Sequence, residues 1–396
     1  MNKIFSPQDK VFANIDRVIE FVETGNAPPV LVEIDPSNIC PHNCSHCISG
    51  YIHSDKDRKN ATMDRTTLMA LCHDLVEIGV RSVNITGGGE PAINKHLKDA
   101  IIYLGSSGVK QGMFTNGVLL NKIEDFYRVI LENLEWIRFS IDAGCEETYN
   151  SVRKTIKGIN DFDVMLTNLC SLLEVREATD SKTTVGVGFV ITEENYEEIL
   201  MFAEMFSDSS VDYCQYKPEI VNVERNNGVQ REVQFWKNKV EPLLSEAKEI
   251  LGSKFQLNSY KLDDLINDPV NYGRTYIKCI GSQLQPCVGA DGEVYVCTNH
   301  RGHLEYSYGN LKDRSFIEIW NDVENRKKVM ELIERKEKFS KCTKLCKAHE
   351  SNKACFQVFE SFNRLESNDQ RKQFKKYMID IVMPRKRDIL KHWEFI

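Results

Sequence analysis

The chain has 396 residues, 41% of them hydrophobic and 28% charged, enough for one large domain with appendages or for two domains. Its net charge of −7 argues against a protein that coats nucleic acid over its whole surface. The sequence has no run of about 18 apolar residues and no secretion signal at its start. We therefore expect a cytoplasmic protein with no membrane partner.

Residues 1–29 are predicted as a polar lead and an amphipathic helix, and residues 30–220 alternate short β-rich runs with helical stretches. The predicted strands are β-rich runs of six to nine residues: 30–35, 82–87, 111–117, 136–142, 183–191 and 211–218. The predicted helices lie between them: 64–79, 96–108, 122–133, 159–177 and 193–207. This alternation predicts a parallel sheet with right-handed crossovers, an α/β partial TIM-type barrel of six units, (β/α)6.

Beyond the barrel, residues 221–275 are predicted as a helical linker and residues 276–360 as a cysteine-rich region, with helices near 316–337 and 356–380. A helical tail follows at 361–396, and its last 26 residues carry the basic residues Arg371, Lys372, Lys375, Lys376, Arg385, Lys386, Arg387 and Lys391. The favoured interpretation of this tail is a solvated helix face. The alternative is an anion-binding surface for a nucleic-acid-linked substrate.

The chain contains 13 cysteines, and without a secretion signal this number indicates metal sites rather than a disulfide framework. Four of them stand alone in apolar or mixed segments and are predicted to be small buried hydrophobic residues: Cys72, Cys145, Cys170 and Cys214. The other nine fall into two groups, one directly after the first predicted strand and one within residues 276–360.

The first group is Cys40-Pro-His-Asn-Cys44-Ser-His-Cys47. Three thiolates on one short loop suit three irons of a [4Fe–4S] cluster. The fourth iron then lacks a protein ligand, so a small molecule with an amine and a carboxylate can chelate it. The alternative is a zinc loop with His42, His46 or His53 as the fourth ligand.

Three further motifs follow the next strands in order. Residues 86–91 read Thr-Gly-Gly-Gly-Glu-Pro, residues 115–117 read Thr-Asn-Gly, and residues 139–142 read Phe-Ser-Ile-Asp. Together with the Cys-x3-Cys-x2-Cys loop, this succession resembles the radical S-adenosylmethionine (SAM) superfamily over roughly residues 30–220. The resemblance implies that the first three cysteines hold a [4Fe–4S] cluster that cleaves SAM reductively.

The resemblance also implies contacts to SAM. The glycines and the acid of residues 86–91 match the family's GGEP motif, which binds the SAM amino group. Polar residues that end the third and fourth strands match positions that contact the ribose and carboxylate, and a basic residue follows. A histidine stands where the family usually has an aromatic residue near the adenine. The implied cofactor-binding residues are Gly88, Gly89, Glu90, Asn116, Ser140, Asp142, Arg153 and His46.

The second group of cysteines comprises Cys279, Cys287, Cys297, Cys342, Cys346 and Cys355. Residues 287–297 have two strand-like arms around an Asp-Gly turn, which predicts a hairpin that brings its two thiols close together. Thiol groups of this kind hold either iron–sulfur clusters or zinc.

This region resembles the SPASM and twitch extensions of radical SAM enzymes, which bind auxiliary [4Fe–4S] clusters. Gly292 before Cys297 and the segment 309–320 match that pattern, whereas the tail, Cys-x3-Cys-x8-Cys, departs from it. Six thiols cannot fully ligate two clusters. We therefore expect one auxiliary cluster, and two incompletely ligated clusters are the alternative. The expected ligands are Cys279, Cys297, Cys342 and Cys346, or the same set with Cys287 in place of Cys279.

The resemblance implies an oxidoreductase or isomerase in which a 5′-deoxyadenosyl radical takes a hydrogen atom from a substrate, with a flavodoxin- or ferredoxin-type electron donor. The outcome would be oxidation, epimerisation or rearrangement, and Cys214 is a candidate for returning a hydrogen atom. Only about 30 residues precede the barrel, which favours a small polar metabolite, a sugar or aminocyclitol, or a modified nucleotide. A peptide or protein side chain is the alternative. A zinc-stabilised binding module and an electron-transfer protein are the alternatives of other classes.

Overall fold

The computed structural model describes residues 7–155, 160–219, 234–257, 274–334, 342, 346 and 348–396. The chain opens with two short helices, α1 (Pro7–Ala13) and α2 (Ile15–Thr24). Gly25 ends α2 with a φ of 75°, a conformation that glycine adopts without strain. The apolar face of this helix pair packs against the C-terminal helices, so the N-terminal lead joins a core outside the barrel.

Ten strands form one sheet: β1 (Leu31–Ile34), β2 (Ser82–Ile85), β3 (Lys110–Thr115), β4 (Trp136–Ser140), β5 (Thr184–Ile191), β6 (Tyr213–Pro218), β7 (Phe255–Leu257), β8 (Cys287–Val288), β9 (Glu293–Tyr295) and β10 (Ser307–Asn310). Their order is β10-β9-β8-β1-β2-β3-β4-β5-β6-β7, and β1 to β7 are parallel. The six predicted barrel strands are all present, and the sheet forms the predicted partial barrel.

The helices of the barrel are α3 (Gly50–Ser54), α4 (Arg65–Glu77), α5 (Leu97–Ser106), α6 (Phe126–Asn133), α7 (Glu146–Arg153), α8 (Asp161–Ala178) and α9 (Ile199–Ser207). Alternate strand residues, such as Ile137 and Phe139, pack with these helices in the main core. The residues on the opposite face of the strand, such as Trp136 and Arg138, face the lumen. This alternation decides which strand residues are able to meet a ligand inside the barrel.

The part of residues 221–275 that the structure describes contains α10 (Glu241–Leu251) and β7, which adds a seventh parallel strand beside β6. The remainder of that predicted helical linker lies outside the described residues. The cysteine-rich region begins at the other edge of the sheet, where β8 pairs in parallel with β1. Strands β8 and β9 form the predicted antiparallel hairpin, with Gly292 at a φ of 85° in its turn.

In the described residues that follow, the α-helices are α11 (Phe316–Asn321), α12 (Val323–Glu334), α13 (His349–Asn363), α14 (Asn368–Tyr377) and α15 (Met383–Ile389). The last residues then close the amino end of the barrel. The ring of Phe395 lies 5.6 Å from that of Trp136, and both pack with Leu31. Ser82 Oγ donates a hydrogen bond to the carbonyl of Glu394. The lumen therefore has an apolar floor made by the C-terminal residues.

Several basic residues of the tail have acidic partners on the first two helices. Lys375 pairs with Glu23 at 2.6 Å, and Lys386 pairs with Asp9 at 2.5 Å. Arg387 donates a hydrogen bond to the carbonyl of Ala13. Three of the eight basic residues predicted in this tail thus have partners within the protein itself. No helix in the described ranges is long and apolar enough to cross a membrane.

Candidate active site

The cysteine loop leaves the carboxyl end of β1 and lines a cavity of about 160 Å³. The sulfur of Cys40 accepts hydrogen bonds from the His42 amide at 3.4 Å and from Asn116 Nδ2 at 3.9 Å. The sulfur of Cys44 accepts one from Arg153 Nη1 at 3.6 Å. Three thiols and three donors to sulfur therefore surround one cavity at the end of the barrel where parallel strands present functional groups.

Burial disfavours the thiolate form of these cysteines unless a bound cation stabilises it. Burial, with smaller contributions from neighbouring groups, raises the pKa of Cys47 to about 11 and that of Cys40 further. A metal centre takes the place of these protons because it binds the thiolate form. The donor set, three thiols on one loop with hydrogen bonds to sulfur, fits an iron–sulfur cluster.

Gly88 and Gly89 let the loop after β2 pack directly on the cysteine loop. A Cβ atom on Gly88 would lie 2.1 Å from Asn38 Oδ1, and one on Gly89 would lie 2.1 Å from the carbonyl oxygen of Ile39. Any side chain at either position would force the two loops apart. The glycines also form one wall of the cavity, so their backbone is open to a ligand there.

Glu90 joins the end of β2 to the end of β3. Its Oε1 accepts from Thr115 Oγ1 at 2.7 Å, and its Oε2 accepts from the Asn116 amide at 2.8 Å. The side chain is 2% exposed, and this burial raises the pKa of its carboxyl group. Glu90 lines the cavity but already has these protein partners, so it orders the site as well as facing it.

Asp142 is the centre of a buried network behind the cysteine loop. Its Oδ2 lies 2.7 Å from Arg153 Nη2 and 3.0 Å from His46 Nε2, and its Oδ1 accepts from the Val190 amide. Arg153 and His46 hold the pKa of Asp142 well below its usual range against the effect of burial. Both carboxylate oxygens thus have protein partners, whereas Ser140, two residues earlier, lines the cavity.

The three histidines near the thiols are engaged elsewhere. His42 Nε2 lies 3.1 Å from Asp161, His46 bonds Asp142, and His53 Nε2 lies 2.6 Å from the carbonyl of Gly88. Among the described residues, three or more potential ligand atoms lie within 4.8 Å of one another only at an exposed His73–Asp74–Glu77 group. Tetrahedral zinc needs bonds of about 2.0–2.3 Å to all of its ligands. Among the described residues, the three thiols of the cysteine loop do not meet that spacing as they stand.

The second group of thiols separates into neighbours and outliers. Burial raises the pKa of Cys297 well above its usual value, and the thiols of Cys346, Cys279 and Cys342 raise it further. His300 Nε2 lies 3.6 Å from the sulfur of Cys342, and Asn299 Nδ2 lies 3.7 Å from that of Cys346. One of the two predicted ligand sets thus lies within electrostatic range of Cys297. Its members are Cys279, Cys297, Cys342 and Cys346. Cys287 and Cys355 each interact with one member of that set, Cys297 and Cys279 respectively.

Cys287 and Cys355 have different surroundings. The sulfur of Cys287 lies 3.9 Å from Asp35 Oδ2 and 3.8 Å from Arg301 Nη2, in a fully buried position on β8. Arg301 also pairs with Asp35 at 3.0 Å. Cys355 lies in α13 within the C-terminal hydrophobic core. The thiol of Cys287 therefore contacts charged side chains, whereas that of Cys355 lies among apolar side chains.

Two expectations about isolated cysteines are wrong. Cys214 lies on the helix-facing side of β6 within the main core, so it does not face the lumen and cannot return a hydrogen atom to a substrate there. Cys170 lies on the exposed side of α8, and Cys145 is partly exposed with its thiol bonded to Glu198. Cys72 and Cys214 are both buried, as predicted.

Comparison with known proteins identifies the class to which this fold and site belong. Residues 34–206 match the radical SAM superfamily, and residues 279–348 match the SPASM family, an iron–sulfur cluster-binding domain. The chain thus carries a radical SAM domain and a SPASM domain. It is a radical SAM enzyme whose cofactors are SAM and [4Fe–4S] clusters.

Individual relatives have diverged widely. Fe-coproporphyrin III synthase of Methanosarcina barkeri is 24% identical over 310 residues, which cover 72% of this chain and 71% of that protein. Mycofactocin maturase MftC of Mycobacterium tuberculosis is 26% identical over 193 residues, 49% of this chain and 46% of the maturase. That second match thus spans about half of each protein.

Two solved structures share the fold. Streptococcus suis SuiB bound to its precursor peptide SuiA has a TM-score of 0.58 at 14% identity, covering 80% of this chain and 70% of SuiB. The enzyme anSMEcpe with bound AdoMet and the Cp18Cys peptide has a TM-score of 0.57 at 17% identity, covering 91% and 99%. These identities establish the common fold and leave the substrate of this chain open.

Proposed function

We propose that Cys40, Cys44 and Cys47 hold the SAM-cleaving cluster and that the enzyme removes a hydrogen atom from a polar substrate in the barrel lumen. When bound, the cluster and SAM supply a 5′-deoxyadenosyl radical as the hydrogen-abstracting group. The observation that carries the proposal is the shared cavity at the carboxyl ends of the strands. Its walls include the three thiols, the glycine loop, Asn116 and Ser140.

The chain's own residues bind and orient the cofactor in this proposal. The backbone of Gly88 and Gly89, with the carboxylate of Glu90, receives the SAM amino group, and Ser140 provides a polar contact from β4. Asn116 supports the thiol of Cys40 through its amide. Arg153, held by Asp142 and His46, supports the thiol of Cys44. In this proposal Asp142 is a positioning residue. It acts on the SAM site through Arg153 and does not contact SAM itself.

We assign the auxiliary cluster to Cys279, Cys297, Cys342 and Cys346. Their thiols influence one another's pKa, and His300 and Asn299 lie within reach of two of the sulfurs. Cys287 and Cys355 remain outside the assigned set because of their separate environments. Four thiols complete one [4Fe–4S] cluster, which can then take an electron from a substrate radical or serve as a relay.

The substrate is proposed as a small polar molecule or a modified residue, and a peptide side chain is a comparably supported second candidate. The specific observation for the peptide is the likeness to the mycofactocin maturase and to SuiB bound to a precursor peptide. The similarity to Fe-coproporphyrin III synthase supports the small molecule. An oxidoreductase or isomerase outcome is open to either substrate, and we propose a flavodoxin- or ferredoxin-type donor in the reducing cytoplasm.

Cysteine variants test the proposed function. Cys44→Ala should abolish 5′-deoxyadenosine formation after anaerobic reconstitution while about four irons per chain remain at the auxiliary site. The matched control is Cys170→Ala, which changes an exposed thiol on the outer face of α8. Unchanged SAM cleavage in Cys44→Ala, or loss of all iron from this variant, would contradict the proposal of a SAM-cleaving cluster and a separate auxiliary cluster.

A further inference from the structure

We propose that Arg138 is a substrate-binding residue that recognises an anionic group, a carboxylate or a phosphate, inside the barrel lumen. The inference rests on the proposed function in so far as the lumen is taken as the substrate site. It adds a chemical class to that substrate and a residue to the site.

Arg138 lies in the lumen between the apolar floor and the cavity. Along β4, Trp136 packs against the C-terminal Phe395, and Ser140 lines the cavity with the thiols. Arg138 has the same lumen-facing parity midway between them. Two residues along a strand span about 7 Å, so the guanidinium group begins one layer below the residues that line the cavity.

The guanidinium group has few partners for a charge in this place. Its Cζ lies 4.3 Å from the centre of the Phe114 ring, and Nη1 donates a hydrogen bond to Gln215 Oε1. Its Nε has no hydrogen-bond partner, and among the described residues no carboxylate lies within 4.0 Å of it. Burial lowers the pKa of Arg138, against the attraction of Tyr213 and Asp142.

A partly buried arginine whose buried Nε has no hydrogen-bond partner is unfavourable for folding alone. The barrel nevertheless makes room for it, because a Cβ atom on Gly188 would lie only 3.3 Å from its Nε. Phe114 on the adjacent strand β3 and Gln215 on β6, two strands away, hold the guanidinium group. A positioned guanidinium group is suited to carboxylate and phosphate, to which it donates paired hydrogen bonds. An anionic substrate group would supply the missing partner.

The SAM carboxylate is the other anion in this part of the molecule, but the geometry favours the substrate. Arg138 lies below Ser140 and does not line the cavity formed by the cysteine and glycine loops. A substrate group held there would lie at the base of the lumen. The reacting part of the substrate would then extend upward to the cavity.

Binding of small anions to the reconstituted holoenzyme with SAM tests the inference. Ligand-observed NMR would compare glutarate, its neutral counterpart glutaramide, and inorganic phosphate. We expect glutarate or phosphate to bind the wild type at least tenfold more tightly than glutaramide. The probe that binds more tightly shows whether the anionic group of the substrate is a carboxylate or a phosphate. Arg138→Gln should weaken that binding at least tenfold. The control is Arg364→Gln, which removes a surface guanidinium group that is 79% exposed.

Absence of anion binding to the wild type, or equal binding in Arg138→Gln, would overturn the inference. An equal loss of SAM affinity would assign the anion to SAM and would overturn it too. Arg138→Met provides a second measurement, because removing an unpaired charge should leave the thermal unfolding midpoint unchanged or higher. A clear fall would indicate a structural role. Anion binding without 5′-deoxyadenosine formation would contradict the proposed function and leave the anion site standing.

Discussion

Arg153 donates a hydrogen bond to the sulfur of Cys44 across 3.6 Å, and its other terminal nitrogen lies 2.7 Å from Asp142. The acid therefore fixes the direction in which the guanidinium group meets the sulfur. Asp142 keeps this position with a φ of 62°, a left-handed conformation in which its Oδ1 accepts from the Val190 amide. The end of β5 is thereby connected to the cysteine loop through Asp142 and Arg153.

Arg153→Met should lower the reduction potential of the cluster proposed for the cysteine loop. A charged donor to sulfur favours the reduced, more negative cluster. Its loss should cost about 1.4 kcal/mol, equivalent to about 60 mV for one electron. The measurement is a redox titration followed by electron paramagnetic resonance. Arg65→Met, at a site 64% exposed on α4, is the control, and equal potentials in both variants would contradict this role.

Iron content should distinguish Cys297 from Cys287. Cys297→Ser removes a thiol of the assigned auxiliary set and should lower bound iron by about four per chain. Cys287→Ser, on the same hairpin, should retain that iron because its sulfur contacts Asp35 and Arg301. Iron and acid-labile sulfide are measured after anaerobic reconstitution. A loss of iron in Cys287→Ser alone would reverse the assignment.

Phe395→Ala should destabilise the floor of the barrel. The ring is 7% exposed and packs against Trp136, so its removal leaves a cavity that costs about 3 kcal/mol. Urea unfolding measures the change. Ile389→Ala, at a residue that is 49% exposed, should alter stability by less than about 0.5 kcal/mol. Similar values for the two variants would indicate that the C-terminal residues do not seal the lumen.

His392 should make the same floor sensitive to acid. Its Nε2 lies 2.9 Å from Thr184 Oγ1, and burial, followed by nearby lysines, lowers its pKa from 6.5 to about 3. Between these values the unfolded chain binds a proton that the folded chain does not, so stability falls as the pH drops below 6.5. The loss between about pH 6.5 and about pH 5 is roughly 2 kcal/mol.

His392→Gln removes this titration, and its stability should therefore depend less on pH across the same range. Urea unfolding at a series of pH values compares the two proteins. The same loss of stability in both would show that His392 does not carry the acid sensitivity.

Sequence patterns located the six barrel strands to within a few residues because each is a buried run bounded by turn or site residues. Helix α7 was missed, since Glu146–Arg153 is mostly polar and Tyr149 and Val152 alone mark its buried face. The loops with the cysteines and glycines were found from their order along the chain. The Asp142 network was not, because it joins residues that are nearly 100 positions apart in sequence.

The faces of the strands were harder to assign. Cys214 stands in a strand that is buried along nearly its whole length, so burial alone does not tell which face it occupies. The hydrogen bond from Arg138 to Gln215 places Gln215 on the lumen side of β6, so its neighbour Cys214 lies on the opposite side. The C-terminal closure was also unpredictable, because it depends on contacts between His392–Ile396 and strands more than 200 residues earlier.

The most direct test of the central claim is anaerobic reconstitution with iron and sulfide, followed by reduction with dithionite in the presence of SAM. Iron, sulfide, zinc and 5′-deoxyadenosine are quantified together. The proposed function predicts about eight irons per chain, for one SAM-cleaving and one auxiliary cluster, together with formation of 5′-deoxyadenosine. About twelve irons would contradict the single auxiliary cluster, and bound zinc with SAM left intact would contradict the central claim.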